Sequence, residues 1–231
     1  MTLKLEPLGD MAVVATLGSA IDRATLAAVL HFAEAVAAAG ARGITDIVPA
    51  YASVTVFYDS SLFQDAPGGA YEAVCRLMEG CAKGPEAAPG AFGARELEVP
   101  VCYGGEHGPD MELVAEHCRM GADDVASLHS GADYLVHAIG FTPGFPYLGG
   151  LPEPLRTPRR DTPRARVPAG SVAIGGSQTG VYPIASPGGW QIVGRTPLAL
   201  FRPREVPASL LRPGDRVRFR PITAKEFESW K

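Results

Sequence analysis

The first part of the chain alternates between the two hydrophobic periods that distinguish strands from helices. Alternating apolar and polar residues predict strands within residues 3–17, 44–48 and 54–58. Apolar residues at helical spacing predict a first helix, with a face made of Leu26, Val29, Leu30, Ala33, Val36 and Ala37. Asp22 suits its N-cap and Gly40 its end, and a second helix is predicted over residues 69–81. The order, roughly β-α-β-β-α, predicts a small α+β domain over residues 1–84, with helices on one face of a sheet.

The chain changes character near residue 85. Gly-Pro and Pro-Gly steps among several alanines predict a flexible connector, which places a linker at residues 85–95 and a second domain at residues 96–231. This domain opens with a predicted strand over residues 97–103 and continues with two short helices. Asp110 and Asp123 are predicted to cap the N-termini of these helices.

Proline dominates the C-terminal half. Thirteen of the 21 prolines lie between Pro143 and Pro213, a density that no long helix survives. The short apolar stretches between them predict strands, over residues 135–141, 171–174, 190–193 and 198–201. Residues 216–220 alternate strictly, so Val217 and Phe219 are expected to face a core. Many short strands with frequent turns predict a mainly-β domain, a barrel or a sandwich.

Composition and charge narrow the classes of protein further. Of the 231 residues, 46% are apolar and 20% are charged, which is typical of a folded globular protein. The net charge of -4 provides no general attraction to nucleic acid or to anionic membranes. No apolar run approaches the roughly 20 residues that span a bilayer, and the N-terminus lacks the features of a secretory signal. We therefore expect a cytoplasmic protein with four reduced cysteines, and no ligand spacing predicts a metal site.

One stretch combines aromatic residues, glycines and prolines too densely for regular structure. Residues 140–150, Gly-Phe-Thr-Pro-Gly-Phe-Pro-Tyr-Leu-Gly-Gly, predict a rigid loop. The loop either holds its rings beside a cleft or plugs the barrel. Trp190, which follows two glycines, has the same two interpretations: core residue or pocket wall.

For the polar candidate residues, the sequence likewise allows both a functional and a structural interpretation. Residues 156–166 carry five arginines, whose planar guanidinium groups suit carboxylate or phosphate but also suit a solvated loop. Residues 175–180 lack the Gly-Lys-Ser/Thr of a Walker A loop and predict a tight hairpin turn, from which Gln178 could present its amide. His129 lies where a helix is predicted to end, and it is either structural or a proton carrier. Together these residues name no reaction.

Ordered motifs along nearly the whole chain resemble a known family. They include Val99-Pro100-Val101-Cys102-Tyr103-Gly104-Gly105, Leu128-His129-Ser130, Gly140-Phe141-Thr142-Pro143-Gly144-Phe145-Pro146-Tyr147-Leu148, Gln178-Thr179-Gly180-Val181-Tyr182-Pro183 and Ser186-Pro187-Gly188-Gly189-Trp190-Gln191. In this order they resemble the PxpB/KipI family, whose module older naming terms allophanate hydrolase subunit 1. The resemblance implies a cyclophilin-like β-barrel in the C-terminal domain and a small α+β N-terminal domain.

The same resemblance implies a function. Members serve as the B component of an ATP-dependent 5-oxoprolinase, which acts with PxpA-type (LamB/YcsF-like) and PxpC-type (KipA-like) subunits to hydrolyse 5-oxo-L-proline to L-glutamate. Because a Walker A motif is missing, we expect the main ATP site on a partner. The alternatives are a KipI-type inhibitor of a sensor histidine kinase and a component of an allophanate- or urea-type amide hydrolase or carboxyltransferase. A prolyl isomerase is suggested by the cyclophilin-like fold alone, and fold does not fix function.

A site hypothesis follows from the clustered residue types. The predicted substrate-binding residues are Phe141, Thr142, Phe145, Arg164, Ser177, Tyr182 and Trp190, and the predicted catalytic residues are His129, Arg166 and Gln178. The aromatic residues would wall a pocket and exclude water. The arginines would hold an anion, the serine and glutamine would donate hydrogen bonds, and the histidine would transfer a proton.

Overall fold

The computed structural model describes residues 3–84 and 95–230. Its contacts divide the chain into two compact units, residues 1–92 and residues 93–231. The predicted linker over residues 85–95 lies, apart from Arg95, outside the described residues. No helix in the described ranges is long and apolar enough to cross a membrane.

The N-terminal unit is a four-stranded antiparallel sheet covered by two helices. Its elements are β1 (Lys4–Pro7), β2 (Ala12–Thr16), α1 (Arg23–Ala38), β3 (Ile44–Ala50), β4 (Ser53–Tyr58), a 3-10 turn (Ser60–Phe63) and α2 (Gly69–Ala82). The strand order is β1-β2-β4-β3. Both helices contact the sheet and each other, so they lie on one face of it. The predicted α+β domain is confirmed.

Local signals in the sequence set the helix positions in this unit. Asp22 is the N-cap of α1, and its carboxylate accepts a hydrogen bond from the Thr25 backbone N–H at 2.7 Å. The apolar face of α1 packs in one core with the inward side chains of β2 and β4, such as Val13 and Val56. On α2, Val74 and Met78 are fully buried in the same core.

The C-terminal unit is a closed barrel. Its elements are β5 (Glu96–Tyr103), α3 (Met111–Cys118), α4 (Ala122–Ser130), β6 (Tyr134–Ile139), β7 (Pro146–Gly149), a 3-10 turn (Glu153–Leu155), β8 (Arg164–Val167), β9 (Ser171–Gly175), β10 (Gln178–Val181), β11 (Ser186–Gly188), β12 (Gln191–Arg195), β13 (Arg216–Pro221) and α5 (Ala224–Glu228). Seven strands follow the order β6-β13-β5-β12-β9-β10-β7, and pairing of β7 with β6 closes the barrel. The β5–β13 pair is parallel and the other barrel pairs are antiparallel. Separately, β8 and β11 form a two-stranded ribbon. The predicted barrel is confirmed.

Alternating side chains give the barrel wall two apolar faces. On β9, Val172 and Ile174 belong to the main core, whereas Ala173 between them belongs to a second, smaller core. The main core also takes Val217 and Phe219 of β13, as predicted from their alternation with arginines. The second core lies on the opposite face of the wall.

Two local predictions of strand and loop positions in this unit were wrong. Residues 140–150 are not irregular throughout, because β7 forms within them and pairs with β6 and β10. Its Pro146 stands at the first position of the strand, where a missing N–H is tolerated. The predicted strand over residues 198–201 is reduced to an isolated bridge between Phe201 and Ser209.

The helix caps also differ from prediction. The N-cap of α4 is Gly121, and Asp123 lies inside the first turn. Asp124 accepts a hydrogen bond from the Gly121 N–H at 3.3 Å. Asp110 does occupy the N-cap position of α3, but its side chain makes no capping hydrogen bond. Its carboxylate forms ion pairs with two arginines instead.

Truncation of Leu148 tests the barrel core. Leu148 of β7 is 0% exposed, whereas Leu113 of α3 is 46% exposed. We expect Leu148→Ala to lower the free energy of unfolding by about 2–5 kcal/mol, because it leaves a cavity. Leu113→Ala is the matched control and should change it by less than about 0.5 kcal/mol. Urea denaturation followed by circular dichroism measures both, and similar losses would contradict the assigned burial.

Candidate functional site

Aromatic residues from the predicted loop and from the β12 region meet in one pocket. The pocket has a volume of about 260 Å³ and is lined by Phe141, Phe145, Tyr147, Arg159, Pro163, Tyr182, Pro187, Gly188, Gly189 and Trp190. Phe145 stands at the centre of the group, with ring centroids 5.1 Å from Tyr182 and 5.5 Å from Trp190 in edge-on contacts. The structure therefore brings together all four of the aromatic residues predicted to wall a pocket.

Small residues on the outer face of the barrel make room for these rings. Gly175 belongs to β9, and a Cβ at this position would lie 2.5 Å from the Trp190 ring. Gly180 belongs to β10, and a Cβ there would lie 2.8 Å from the Phe145 ring. Ala173 is on the same face as Gly175, because both are odd positions of one strand. Both interpretations of Trp190 are thus correct, because its ring packs in the second core and also lines the pocket.

Phe141 is held at the pocket by an unusual backbone conformation. Its φ is +67°, in the left-handed region that a bulky residue rarely adopts, and its side chain is 63% exposed. Hydrogen bonds from Thr142 N–H to Gly140 O (2.8 Å) and from Phe145 N–H to Thr142 O (3.0 Å) tighten the loop around it. The Thr142 hydroxyl is buried and finds no hydrogen-bond partner among the described residues. Thr142 itself is outside the pocket lining.

A buried carboxylate binds two of the five arginines in residues 156–166. Asp110 is buried and accepts hydrogen bonds from Arg164 Nη2 at 2.6 Å, Arg160 Nη1 at 3.3 Å and the Ile192 backbone N–H at 2.7 Å. These contacts tie the arginine segment to β12. The predicted anion-holding residue Arg164 is therefore already paired, although its buried Nη1 has no partner among the described residues.

The other arginines of the segment differ in their surroundings. Arg156 pairs with Glu153 at 3.2 Å. Arg159 forms no ion pair with a described carboxylate, and its guanidinium carbon lies 5.6 Å from the centroid of the Trp190 ring. Arg166 is exposed and does not line the pocket. Arg159, rather than Arg164 or Arg166, is the cation of the pocket.

The pocket environment acts on the Tyr182 hydroxyl. Burial raises the pKa of Tyr182, and a hydrogen bond from the Trp190 backbone together with the charges of Arg159 and Arg164 oppose the rise. The hydroxyl lies against Gly188, which also lines the pocket. Tyr182 consequently remains a neutral phenol that can donate a hydrogen bond.

His129 lies in the barrel interior and not in the pocket. It is 0% exposed, its ring stacks on Phe219 at 4.8 Å, and its Nδ1 and Nε2 lie 2.8 Å from Tyr103 Oη and 3.0 Å from Thr179 Oγ1. Thr179 donates its own proton to Ala173 O, so it accepts from Nε2–H, and Nδ1 accepts from Tyr103. Burial lowers the pKa of His129 to about 3. This geometry gives the histidine a structural role and offers no path to a ligand in the pocket.

The remaining predicted residues lie at the β9–β10 turn. Gly176 and Ser177 form the turn between the two strands, as predicted, and Ser177 is exposed. Gln178 pairs with Gly175, so it projects from the face of the barrel on which Trp190 rests. Neither Ser177 nor Gln178 lines the pocket.

Sequence reasoning missed Arg159, Tyr147 and the role of Asp110. Arg159 could not be distinguished from its neighbours, because ion pairing with distant residues separates the five arginines. Tyr147 was missed because it lies in β7, a strand within the stretch that was predicted to be an irregular loop. Among residues 3–84 and 95–230, no group of three or more His, Cys, Asp or Glu side chains could hold a metal ion.

Comparison with known proteins identifies the family. A family profile described as carboxyltransferase domain, subdomain C and D, matches residues 3–211, so the chain belongs to that family. Within it, the chain is 42% identical to the 5-oxoprolinase B component of Bacillus subtilis over 99% of this chain and 96% of that protein. It is 59% identical to the 5-oxoprolinase B component of Escherichia coli O157:H7 over 55% of this chain and 59% of that protein. The predicted PxpB family membership is confirmed.

Solved structures share the fold. TTHA0988 superposes with a TM-score of 0.78 at 37% identity, over 92% of this chain and 40% of its own. PH0987 from Pyrococcus horikoshii superposes with a TM-score of 0.57 at 41% identity, over 97% of this chain and all of its own. The Kluyveromyces lactis urea carboxylase superposes with a TM-score of 0.78 over 98% of this chain and 22% of its own, and its 20% identity supports the fold alone.

Removal of the Asp110 charge tests the anchoring of the arginine segment. We expect Asp110→Asn to lower the free energy of unfolding by about 2 kcal/mol, because it leaves the half-buried Arg160 and Arg164 without their carboxylate. Asp161→Asn, an exposed position in the same segment, is the matched control and should have little effect. Urea denaturation measures both, and an equally stable Asp110→Asn variant would contradict the anchoring role.

The pH dependence of stability tests the environment of His129. Below about pH 6.5 the unfolded chain protonates this residue, whereas the folded chain resists protonation down to about pH 3. His129 therefore makes stability fall as the pH falls through this window, by up to about 1.4 kcal/mol per pH unit, and contributes no pH dependence above it. His129→Gln removes this effect, so the stability gap between wild type and variant should shrink from about pH 7 to about pH 4.

Urea denaturation at several pH values measures that gap. His117→Gln, at an exposed position of α3, is the matched control and should show a smaller change. A gap for His129→Gln that stays constant over the whole range would show that the histidine is accessible to protons in the folded state.

Proposed function

We propose that this chain is the B component of an ATP-dependent 5-oxoprolinase, acting in a complex that hydrolyses 5-oxo-L-proline to L-glutamate. The observation that carries the proposal is the 42% identity to a 5-oxoprolinase B component over 99% of this chain. The matched region covers 99% of this chain and 96% of that protein, so it includes the segments that form the pocket and the barrel.

The partners are proposed to be a PxpC-type and a PxpA-type subunit. The relatives are named as one lettered subunit of 5-oxoprolinase, which implies further subunits in their own enzymes. The matching region is 40% of the TTHA0988 chain and 22% of the urea carboxylase chain, so in both proteins the equivalent unit is part of a longer polypeptide. These lengths support a unit that works together with other domains.

The pocket offers conditions that suit a cyclic amide. An unstrained amide is a poor electrophile, and transfer of a phosphoryl group to its oxygen makes the carbonyl carbon open to attack by water. Such an activated species must be shielded from premature hydrolysis. The walls of Phe145, Tyr182 and Trp190 are nearly completely buried and therefore support the assignment of this chain to substrate binding.

The pocket does not suit the nucleotide. Its volume of about 260 Å³ is below the roughly 300 Å³ at which pockets for drug-sized ligands begin, and its lining carries a single cation for a triphosphate. We therefore propose that the ATP of the reaction is bound mainly by a partner subunit. Gln178 and Ser177, outside the lining, are not assigned a catalytic role.

Reconstitution tests the proposed function. The purified chain is mixed with its PxpC-type and PxpA-type partners, and glutamate release from 5-oxo-L-proline is measured with and without ATP. We expect ATP-dependent release in the full mixture and none from the chain alone, because the chain does not supply the nucleotide site. Mixtures that lack one component at a time are the controls.

A folded full mixture that releases no glutamate would overturn the proposal. Activity on a urea-derived amide in the same mixture would then assign the chain to an amide hydrolase or carboxyltransferase of that type. Inhibition of a sensor histidine kinase by the chain alone would instead assign it to the KipI-type inhibitors.

A further inference from the structure

The size of the pocket limits its ligand. A volume of about 260 Å³ accommodates one small ring with a substituent and is smaller than the roughly 300 Å³ at which pockets for drug-sized ligands begin. The walls cannot widen easily, because Phe145 is 2% and Trp190 6% exposed and their rings are in direct contact with each other. Behind them, the Trp190 and Phe145 rings rest directly on Gly175 and Gly180, where a Cβ would clash with the rings.

The walls of the pocket are mainly aromatic. Phe145, Tyr182 and Trp190 form buried aromatic walls, while Phe141 stands at the exposed side, with its ring centroid 5.7 Å from Phe145 and 6.4 Å from Tyr182. The strained backbone of Phe141 keeps this ring beside the pocket instead of in the core. A planar ring can pack against these surfaces with little loss of side-chain freedom.

The charge of the pocket specifies one anionic group. Arg159 is the single charged residue of the lining, and no described carboxylate pairs with it. The neighbouring Arg160 and Arg164 share Asp110, so Asp110 offsets part of their charge. The Arg159 guanidinium carbon lies 5.6 Å from the centroid of the Trp190 ring, and the planar guanidinium can donate two parallel hydrogen bonds to a carboxylate.

We propose that this pocket binds a small ring that carries one carboxylate, with the carboxylate on Arg159 and the ring against the aromatic walls. The identification of this ligand as 5-oxo-L-proline rests on the proposed function. The Tyr182 hydroxyl is a neutral donor that lies against Gly188, a lining residue, and we assign it to the carbonyl oxygen of the ligand. Arg159 is thereby the residue that selects a monocarboxylate.

Tryptophan fluorescence provides a direct test, because the chain contains two tryptophans. Trp230→Phe leaves Trp190 as the sole reporter inside the pocket. This protein is titrated with 5-oxo-L-proline, with cyclopentanecarboxylate, which lacks the amide, with 2-pyrrolidinone, which lacks the carboxylate, and with ATP. We expect saturable changes with both carboxylates, binding of 2-pyrrolidinone at least about ten-fold weaker, and no saturable change with ATP.

A second substitution in the same background isolates the role of Arg159. Arg159→Gln should weaken both carboxylates about ten-fold or more and leave 2-pyrrolidinone unchanged, because the lactam makes no contact with the guanidinium. Arg156→Gln is the matched control, since Arg156 is exposed, pairs with Glu153 and does not line the pocket. It should alter no affinity.

The outcomes separate this proposal from the proposed function. Absence of saturable binding by either carboxylate, or equal weakening of all ligands by Arg159→Gln, would overturn the pocket assignment. In an active reconstituted complex, Arg159→Gln should raise the KM for 5-oxo-L-proline at least about ten-fold and leave the KM for ATP unchanged. If the Arg159→Gln complex is active and its KM for 5-oxo-L-proline is unchanged, the role of Arg159 is refuted and the proposed function stands. An inactive complex with carboxylate binding at Trp190 would refute the function and retain a monocarboxylate site.

Discussion

Pairing of β7 with β6 closes the barrel, and the pocket depends on that closure. The interior of a closed barrel must be filled by side chains, and apolar positions on its outer surface must be covered by other segments of the chain. The inside takes branched aliphatic side chains such as Val172 and Ile174, together with His129 and its two hydrogen-bond partners. On the outside, glycine and alanine at the alternate positions leave a shallow surface on which aromatic rings rest. The pocket is the space that those rings and the β8–β11 ribbon enclose.

Ion pairing then determines which arginine is left as the cation of the pocket. Five arginines lie within residues 156–166, and all are chemically equivalent as carboxylate binders. Asp110, far away in sequence, takes two of them and fixes the segment to β12. Burial of that carboxylate is tolerated because three donors surround it. Arg159 keeps its charge uncompensated beside Trp190, and the pocket gains one cation in an otherwise apolar and aromatic lining.

Family membership and the pocket address different questions. The match to the carboxyltransferase domain, subdomain C and D, over residues 3–211 assigns the fold and the evolutionary group. That fold also occurs in the urea carboxylase of Kluyveromyces lactis, at 20% identity, so it cannot specify a substrate. Specificity must come from the side chains of the site, and the small volume, the aromatic walls and the single cation of this pocket are the features that distinguish among candidate ligands.

Local patterns in the chain were sufficient for the helices and strands of the N-terminal unit, for the barrel class of the C-terminal unit and for four of the five aromatic residues that line the pocket. Periodicity and caps act over a few residues, and the cap at Asp22 and the alternation around Val217 are examples. Contacts between distant segments were not accessible in this way. The burial of His129 between strands, the pairing of residues 146–149 with β10 and the pairing of Asp110 with Arg164 each join residues that are remote in sequence. Their energies exist only once the barrel has closed, because burial and long-range pairing are properties of the folded chain.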